Sequence, residues 1–336
     1  MCRISAAFIH LLAAGVLGLR ILVTGVAGFI GSRLARNLLD RGDQVVGFDN
    51  LNDYYPLVHK QRHLADLSSH SQFTFVECDL RDLSALVELC RTHPPDAVAH
   101  IAAMASVRYS VQNPHVYSAV NVQGTMNLLD AVNRVGKPHC LLASTGSVYG
   151  RSTPTPFVET APADRPLAPY PASKRSMELF AHSFEHLWGL PITILRFFNV
   201  YGPHGRPDMM PWQWTTDILA GRELTLYDGG RLKRDWTYID DIIAGFRLAL
   251  DRPHGYQIFN LGCGEPVENI EFVRILENLL GRQARIRNVP APASEPPVTF
   301  ADITLAHRTL GYQPQVRVQE GLSRFIAWMQ EAQIIH

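Results

Sequence analysis

Thr24-Gly25-Val26-Ala27-Gly28-Phe29-Ile30-Gly31 decides the fold. Before it stands Arg20-Ile-Leu-Val-Thr24, a short apolar run that reads as a buried strand. After it, Phe29 to Leu39 carries a helical pattern that stops at Asp40-Arg41-Gly42. Glycines at 25, 28 and 31 permit a tight turn, backbone approach to a pyrophosphate, and close helix–strand packing. The helix start, with Phe29 and Ile30, then offers unpaired N–H groups and a positive dipole end to the phosphates. Asp49 follows the next apolar run, Gln44-Val-Val-Gly-Phe48, 18 residues beyond Gly31. A carboxylate there accepts hydrogen bonds from the adenosine ribose and repels a 2′-phosphate, which favours NAD over NADP. Asn50 adjoins it. Asp79, beside Leu80 after the third strand, reads either as a partner for the adenine amine or as a helix cap before Leu83.

Working outward, strands and helices alternate. Phe73–Glu77, Ala97–Ile101, Cys140–Ser144 and Ile192–Arg196 read as further strands. Leu83–Cys90, about Tyr117–Val135 and Pro171–Leu187 read as helices. Such alternation implies an α/β fold, a doubly wound parallel sheet covered on both faces. After about Asn199 the regularity loosens and Pro and Gly multiply. The expected division is an apolar extension at 1–19, a dinucleotide-binding domain at 20–198 and a smaller α/β substrate lobe at 199–336, with the return of isolated lobe segments to the first domain left open.

Composition limits the function. The 336 residues carry 31 basic and 31 acidic side chains, so the bulk positive field of a nucleic-acid binder is missing. Five cysteines stand at 2, 78, 90, 140 and 263 with no C-x-x-C pair, which argues against a disulfide framework or structural zinc and fits a reducing compartment. No ligand spacing among the 14 histidines suggests a metal. Residues 4–19 are mostly apolar. They read as an extension or upstream start, as a peripheral membrane segment, or as an export signal. An export signal would carry the protein away from its dinucleotide, so a cytoplasmic location is expected.

Tyr170 and Lys174 are four apart at a helix start, which stacks them on one face. A free tyrosine is a poor base near neutrality, and a nearby ammonium favours its phenolate. Thr145, 25 residues upstream at the end of a strand, supplies a hydroxyl to the same crevice. Asn121 reads as a water-mediated brace for the lysine or as a buried helix amide. Ala102 follows the fourth strand on the cofactor side.

These residues resemble the extended short-chain dehydrogenase/reductases, and among them the nucleotide-sugar epimerases. Thr24–Gly31, Tyr170–Lys174, Asn121-Val-x-Gly-Thr125 and Arg234-Asp-Trp-Thr-Tyr-Ile-Asp-Asp241 carry the likeness from Arg20 to about Trp328. The resemblance implies a Rossmann-type domain with bound NAD, a C-terminal lobe closing on a UDP-sugar, and a homodimer. It further implies Arg234 facing the diphosphate, Asp302 near the uridine ribose, and Arg108 and Ser147 on the substrate side.

Some residues discriminate among members. Dehydratases of this kind carry Asp-Glu after the catalytic Ser/Thr, where Gly146-Ser147 stand; elimination lacks its acid. The glutamate that decarboxylases place before Val-Tyr-Gly is Ser147. Gly205-Arg-Pro-Asp-Met209 resembles the UDP-glucuronate 4-epimerases, in which the arginine meets the sugar carboxylate, and Arg206 occupies that place. Its other readings are a loop arginine or a diphosphate ligand. Asn199 replaces a threonine common in that subfamily, and Ser294-Glu295 replace its Gly-Asp. The expected activity is NAD-dependent 4-epimerisation of UDP-glucuronate. The alternatives are a neutral UDP-hexose or N-acetylhexosamine epimerase, a uronate decarboxylase, or a non-catalytic dinucleotide sensor.

Overall fold

The computed structural model describes residues 18–335. Residues 1–17, most of the expected extension, lie outside the described residues. The first strand begins at Arg20, where the sequence places it, and the residue before it already packs inward. Leu19 is buried in the core and its N–H donates to Asp43 Oδ1 at 3.0 Å.

Seven strands form one sheet in the order β11-β6-β5-β4-β1-β2-β3, every pair parallel. In chain order these are β1 (Arg20–Thr24), β2 (Gln44–Asp49), β3 (Phe73–Glu77), β4 (Ala97–His100), β5 (His139–Thr145) and β6 (Ile192–Phe197), with β11 (Gln257–Leu261). Helices α1 (Phe29–Asp40), α2 (Leu57–Leu67), α3 (Leu83–Thr92) and α4 (Val107–Gln112) intervene. The helix expected from Tyr117 is composite. This α5 is α-helical over Pro114–Tyr117, π-helical over Ser118–Gln123 and α-helical over Gly124–Val135. The extra residue of the π-turn buries Asn121. The chain leaves β1 toward β2 on one side and meets β4 on the other, so the strand order reverses between β1 and β4 and opens a crevice at their C-terminal ends.

The return of lobe segments that the sequence leaves open is made by β11, which pairs with β6 along Gln257–Leu261. Its Ile258 and Phe259 complete the sheet's edge, where an unpaired β6 would expose backbone groups. The remainder of the C-terminal part forms small sheets: β7 (Val200–Tyr201) with β10 (Thr237–Tyr238), β8 (Glu223–Tyr227) with β13 (Arg285–Val289), and β12 (Pro266–Glu268), β9 (Lys233–Asp235) and β14 (Val298–Thr299). Helices α7 (Met210–Leu219), α8 (Ile239–Leu250), α9 (Asn269–Leu280), α10 (Thr304–Leu310) and α11 (Val318–Glu331) accompany them. Trp214, Trp236 and Tyr201 gather on the Phe272 ring, with Trp236 at 4.4 Å.

Helix α6 (Pro169–Trp188) is tied to the sheet by a buried charge pair. Arg196 of β6 is 1% exposed and gives Nε and Nη2 to the carboxylate of Glu178 at 2.9 and 2.7 Å. Ser144 of β5 donates to the same carboxylate at 2.6 Å. Three elements thereby converge one turn beyond Lys174. Removing one member of a buried pair leaves the other charge unpaired in low dielectric. Glu178→Ala is expected to lower unfolding stability by about 3–5 kcal/mol, read as a lower urea midpoint at unchanged slope. A loss under about 1 kcal/mol would show that the pair does not lock α6.

Candidate active site

A cavity of about 470 Å³ lies at the C-terminal ends of β1, β4 and β5. Gly25, Gly28, Phe29, Ile30 and Gly31 form its floor; Asp49, Asn50, Asp79, Leu80 and Ala102 its far end; and Thr145, Ser147, Tyr170, Arg108, Asn199, Arg206 and Arg234 the remaining walls.

The floor suits a dinucleotide phosphate. Gly25 sits at φ +68°, and a side chain there would meet the Ala102 backbone at 2.8 Å. A Cβ at Gly31 would strike the Gly25 carbonyl oxygen. Helix α1 begins on Gly28 with no side-chain cap and no acidic residue in its first turn, so its leading N–H groups face the cavity uncompensated. A phosphate supplies what this helix start lacks.

At the ribose end the structure adds a residue the sequence did not single out. Lys60 of α2, 3% exposed, donates to Asp49 Oδ1 at 3.2 Å, and Leu51 N–H donates to the same oxygen at 2.9 Å. Asp49 is therefore not the lone negative charge expected. Its Oδ2 has no hydrogen-bond partner among the described residues and is open to a hydroxyl donor, while Lys60 offsets the repulsion a carboxylate would exert on a 2′-phosphate. Nothing in the spacing of α2 distinguishes Lys60 from a surface lysine. Asp79 is not a helix cap; Asp82 is, accepting from Ala85 N–H at 3.0 Å. Asp79 instead takes Arg81 on both oxygens and Asn50 Nδ2 at 2.8 Å, and those donors, Arg81 foremost, hold its carboxyl well below the usual range.

Three expected site residues stand off the wall. Asn121 is 1% exposed and has no direct hydrogen bond to Lys174. It accepts from Met104 N–H and donates to Met104 C=O, both at 2.9 Å, and donates to Ser173 Oγ at 2.9 Å. Asp302 caps α10 through Thr304 N–H at 2.8 Å, and Ser294, Glu295 and Thr299 line the cavity beside it. Lys174 is buried behind Tyr170 and donates to Ala143 C=O at 2.8 Å. Burial lowers its pKa to about 8.

Tyr170 itself differs from the expectation. Burial raises its pKa, and the opposing pulls come from the Thr145 hydroxyl and the Arg206 guanidinium rather than from Lys174. The Lys174 ammonium gives one of its three hydrogens to a main-chain carbonyl. Thr145 Oγ1 accepts from Ser147 N–H at 3.2 Å, which leaves its hydrogen free to donate.

Arg234 gives Nη2 to Glu295 at 2.7 Å, so the expected diphosphate cation already carries an internal partner. Arg108 stacks on Tyr227 at 5.5 Å across the cavity mouth. Arg206 is held by Asp208, with Nε and Nη2 donating at 2.9 and 3.0 Å. Asp208 stands two residues on, in a turn closed by Met209 N–H to Arg206 C=O at 3.1 Å.

Beneath the floor, His100 joins Thr24 and Thr125, each at 2.9 Å. Thr125 gives its hydrogen to Asn121 C=O at 2.7 Å, so it must accept from His100 Nε2–H. His100 Nδ1 then accepts from Thr24, whose oxygen takes the Ile101 and Ala102 N–H groups. Every proton has one place.

A family model described as the NAD dependent epimerase/dehydratase family matches residues 21–262. The chain belongs to that family. It is similar to the UDP-glucuronate 4-epimerase of Thermodesulfobacterium geofontis (strain OPF15), 41% identical over 311 residues, covering 92% of this chain and 96% of that one. Among solved structures it resembles the UDP-glucuronic acid 4-epimerase of Bacillus cereus in complex with UDP-glucuronic acid and NAD, at TM-score 0.88 and 33% identity, covering 94% of this chain and all of that one. A dTDP-glucose 4,6-dehydratase of Streptomyces venezuelae with NAD bound gives TM-score 0.87 and 33% identity, covering 93% and 97%. Proteins named for two different reactions thus match this backbone about equally well.

His100 supplies a direct check on this arrangement. Burial, followed by the charge of Lys174, lowers its pKa to about 3. Nitrogen NMR should show a neutral Nε2–H ring from about pH 8 to pH 4.5, whereas exposed histidines titrate near 6.5. Its folded value lies below the unfolded one, so this site weakens the fold as pH falls below about 6.5. A His100 midpoint between about 5.5 and 7 would contradict the clamp.

Proposed function

We propose that this chain interconverts UDP-glucuronate and UDP-galacturonate as an NAD-dependent 4-epimerase. The observation that carries this reading is a guanidinium, Arg206, in the same cavity as Thr145 and Tyr170, with no acid at Gly146-Ser147. A strand end without a carboxyl cannot protonate a departing C6 hydroxyl, so reaction stays at C4.

Tyr170 removes the proton from the C4 hydroxyl, and Thr145 donates to the same oxygen. NAD, when bound, supplies the acceptor for the C4 hydride and returns it. Gly25–Gly31 would hold its pyrophosphate, Asp49 its adenosine ribose, and Lys174 its nicotinamide ribose. The 4-keto sugar turns while its diphosphate stays anchored near Arg108 and Arg234, and Tyr170 gives the proton back. Arg206 holds the C6 carboxylate through charge-assisted hydrogen bonds.

A neutral UDP-hexose is the second reading. Asn199 on the wall and Asp208 already on Arg206 favour it, because the pair presents little net charge. The dinucleotide falls to the seven-stranded sheet and the sugar to the C-terminal part, apart from β11. No helix among the described residues is long and apolar enough to cross a membrane. Dependence on NAD supports a cytoplasmic activity. Leu179, Phe180, Leu187 and Trp188 of α6 are exposed, and that face accommodates a second copy in a homodimer.

The test compares wild type, Tyr170→Phe and Arg206→Ala on UDP-glucuronate and UDP-glucose without added NAD. Tyr170→Phe should lose about 10²–10⁴ in turnover while UDP-sugar binding stays near normal. Arg206→Ala should weaken UDP-glucuronate handling by about 1.5–3 kcal/mol, roughly 10- to 150-fold, and spare UDP-glucose. Equal losses on both sugars would move Arg206 to the diphosphate and put the neutral reading first.

A further inference from the structure

Arg206 has two edges on which a carboxylate can make paired hydrogen bonds: Nε with Nη2, and Nη1 with Nη2. Asp208 takes the first, at 2.9 and 3.0 Å. Nη1 has no partner among the described residues, and the residue lines the cavity. Asp208 is fixed in turn by Tyr54, whose hydroxyl donates to its Oδ2 at 3.0 Å. The Tyr54 ring lies 6.0 Å from the Arg206 guanidinium and packs edge-on against Tyr109 at 5.0 Å.

Tyr54 comes from the opposite side of the cleft. It ends the loop that follows Asp49, in which Asn50 and Asn52 each accept from the backbone two residues on, both at 3.2 Å. Asn50 is bonded to Asp79. A chain of side chains therefore runs from the ribose end of the cavity to the arginine near the sugar.

We propose that Asp208 is a positioning residue that pins Arg206 by its Nε–Nη2 edge and so presents the Nη1–Nη2 edge to the sugar acid, with Tyr54 holding Asp208 in place. The inference rests on the uronate reading above. An unpinned guanidinium can meet the acid along either edge and lets the carboxylate rotate. Rotation matters in the 4-keto uronate. With the C5–C6 bond perpendicular to the carbonyl plane, that bond breaks and its electron pair passes into the C4 carbonyl as an enolate. C6 leaves as CO₂, a solvent proton adds at C5, and the hydride returned to C4 gives a UDP-pentose. A fixed edge holds the bond away from that geometry. Asp208 also leaves Arg206 paired before substrate arrives, so the acid is recognised by the shape of the remaining edge more than by net charge.

Wild type, Asp208→Asn and Tyr54→Phe are incubated with UDP-glucuronate, and epimer and UDP-pentose are counted by proton NMR. Asp208→Asn should raise the pentose share about tenfold or more and lower kcat for epimerisation by about tenfold, with KM unchanged or lower. KM does not rise because Arg206 keeps its charge and loses an internal competitor. Tyr54→Phe should move both quantities in the same direction by a smaller factor. A raised KM with the wild-type pentose share would mean that Asp208 only supports packing, and would overturn the proposal. Wild type that fails to turn over UDP-glucuronate would remove the uronate reading instead. The pinned edge is then decided by calorimetry, where Asp208→Asn should bind UDP-glucuronate about threefold tighter or more and UDP-glucose unchanged; equal change for both sugars overturns it.

Discussion

The hydrogen bonds that Thr24, His100 and Thr125 share at the reversal of strand order hold the rest of the site in place. Thr24 ends β1 just before the glycine turn, and its hydroxyl oxygen receives the first two N–H groups after β4. His100 passes the restraint to Thr125, which is bonded to Asn121. Asn121 reaches Ser173, and Ser173 donates to the carbonyl of Tyr170 at 2.7 Å. The glycine turn and Tyr170 are joined by one unbroken chain of buried and part-buried hydrogen bonds. In a low-dielectric interior such a chain resists distortion, because each break leaves a polar group unpaired.

A second constraint is charge. Three cations of the cleft carry internal carboxylate partners: Lys60 with Asp49, Arg206 with Asp208, and Arg234 with Glu295. Isolated, each cation would be costly to bury. Paired, each offers a shaped set of donors with little net field. Recognition of a polyanionic substrate then depends on which donor edges stay free, and Arg108, set against the Tyr227 ring, has no ion-pair partner among the described residues.

The glycine turn, the strand order around β1 and the Tyr170–Thr145 pair were legible because each is fixed by local chemistry: a turn needing φ above zero, an apolar run of strand length, a four-residue helical spacing. The pairings were not. Lys60 reaches Asp49 from another element, Glu295 reaches Arg234 across 61 positions, and β11 joins a sheet whose other strands all precede it by at least 60 residues. Those contacts exist only after folding. Four-residue spacing puts Lys174 on the helix face of Tyr170, but its hydrogen bond to the Ala143 carbonyl comes from another element and is not visible in that spacing. Asn121 is the buried helix amide that its position also allowed, bonded to the Met104 backbone, and Asp302 accepts Thr304 N–H at the start of α10; neither partner is visible in a motif.

The central claim is that the hydrogen at C4 leaves the sugar and returns to the same carbon within one cavity. UDP-glucuronate deuterated at C4, turned over in ordinary water without added cofactor, measures this directly. The account predicts UDP-galacturonate with deuterium retained at C4 and none gained or lost elsewhere. Washout of the C4 label into solvent, or exchange at C5 in the epimer, would contradict it.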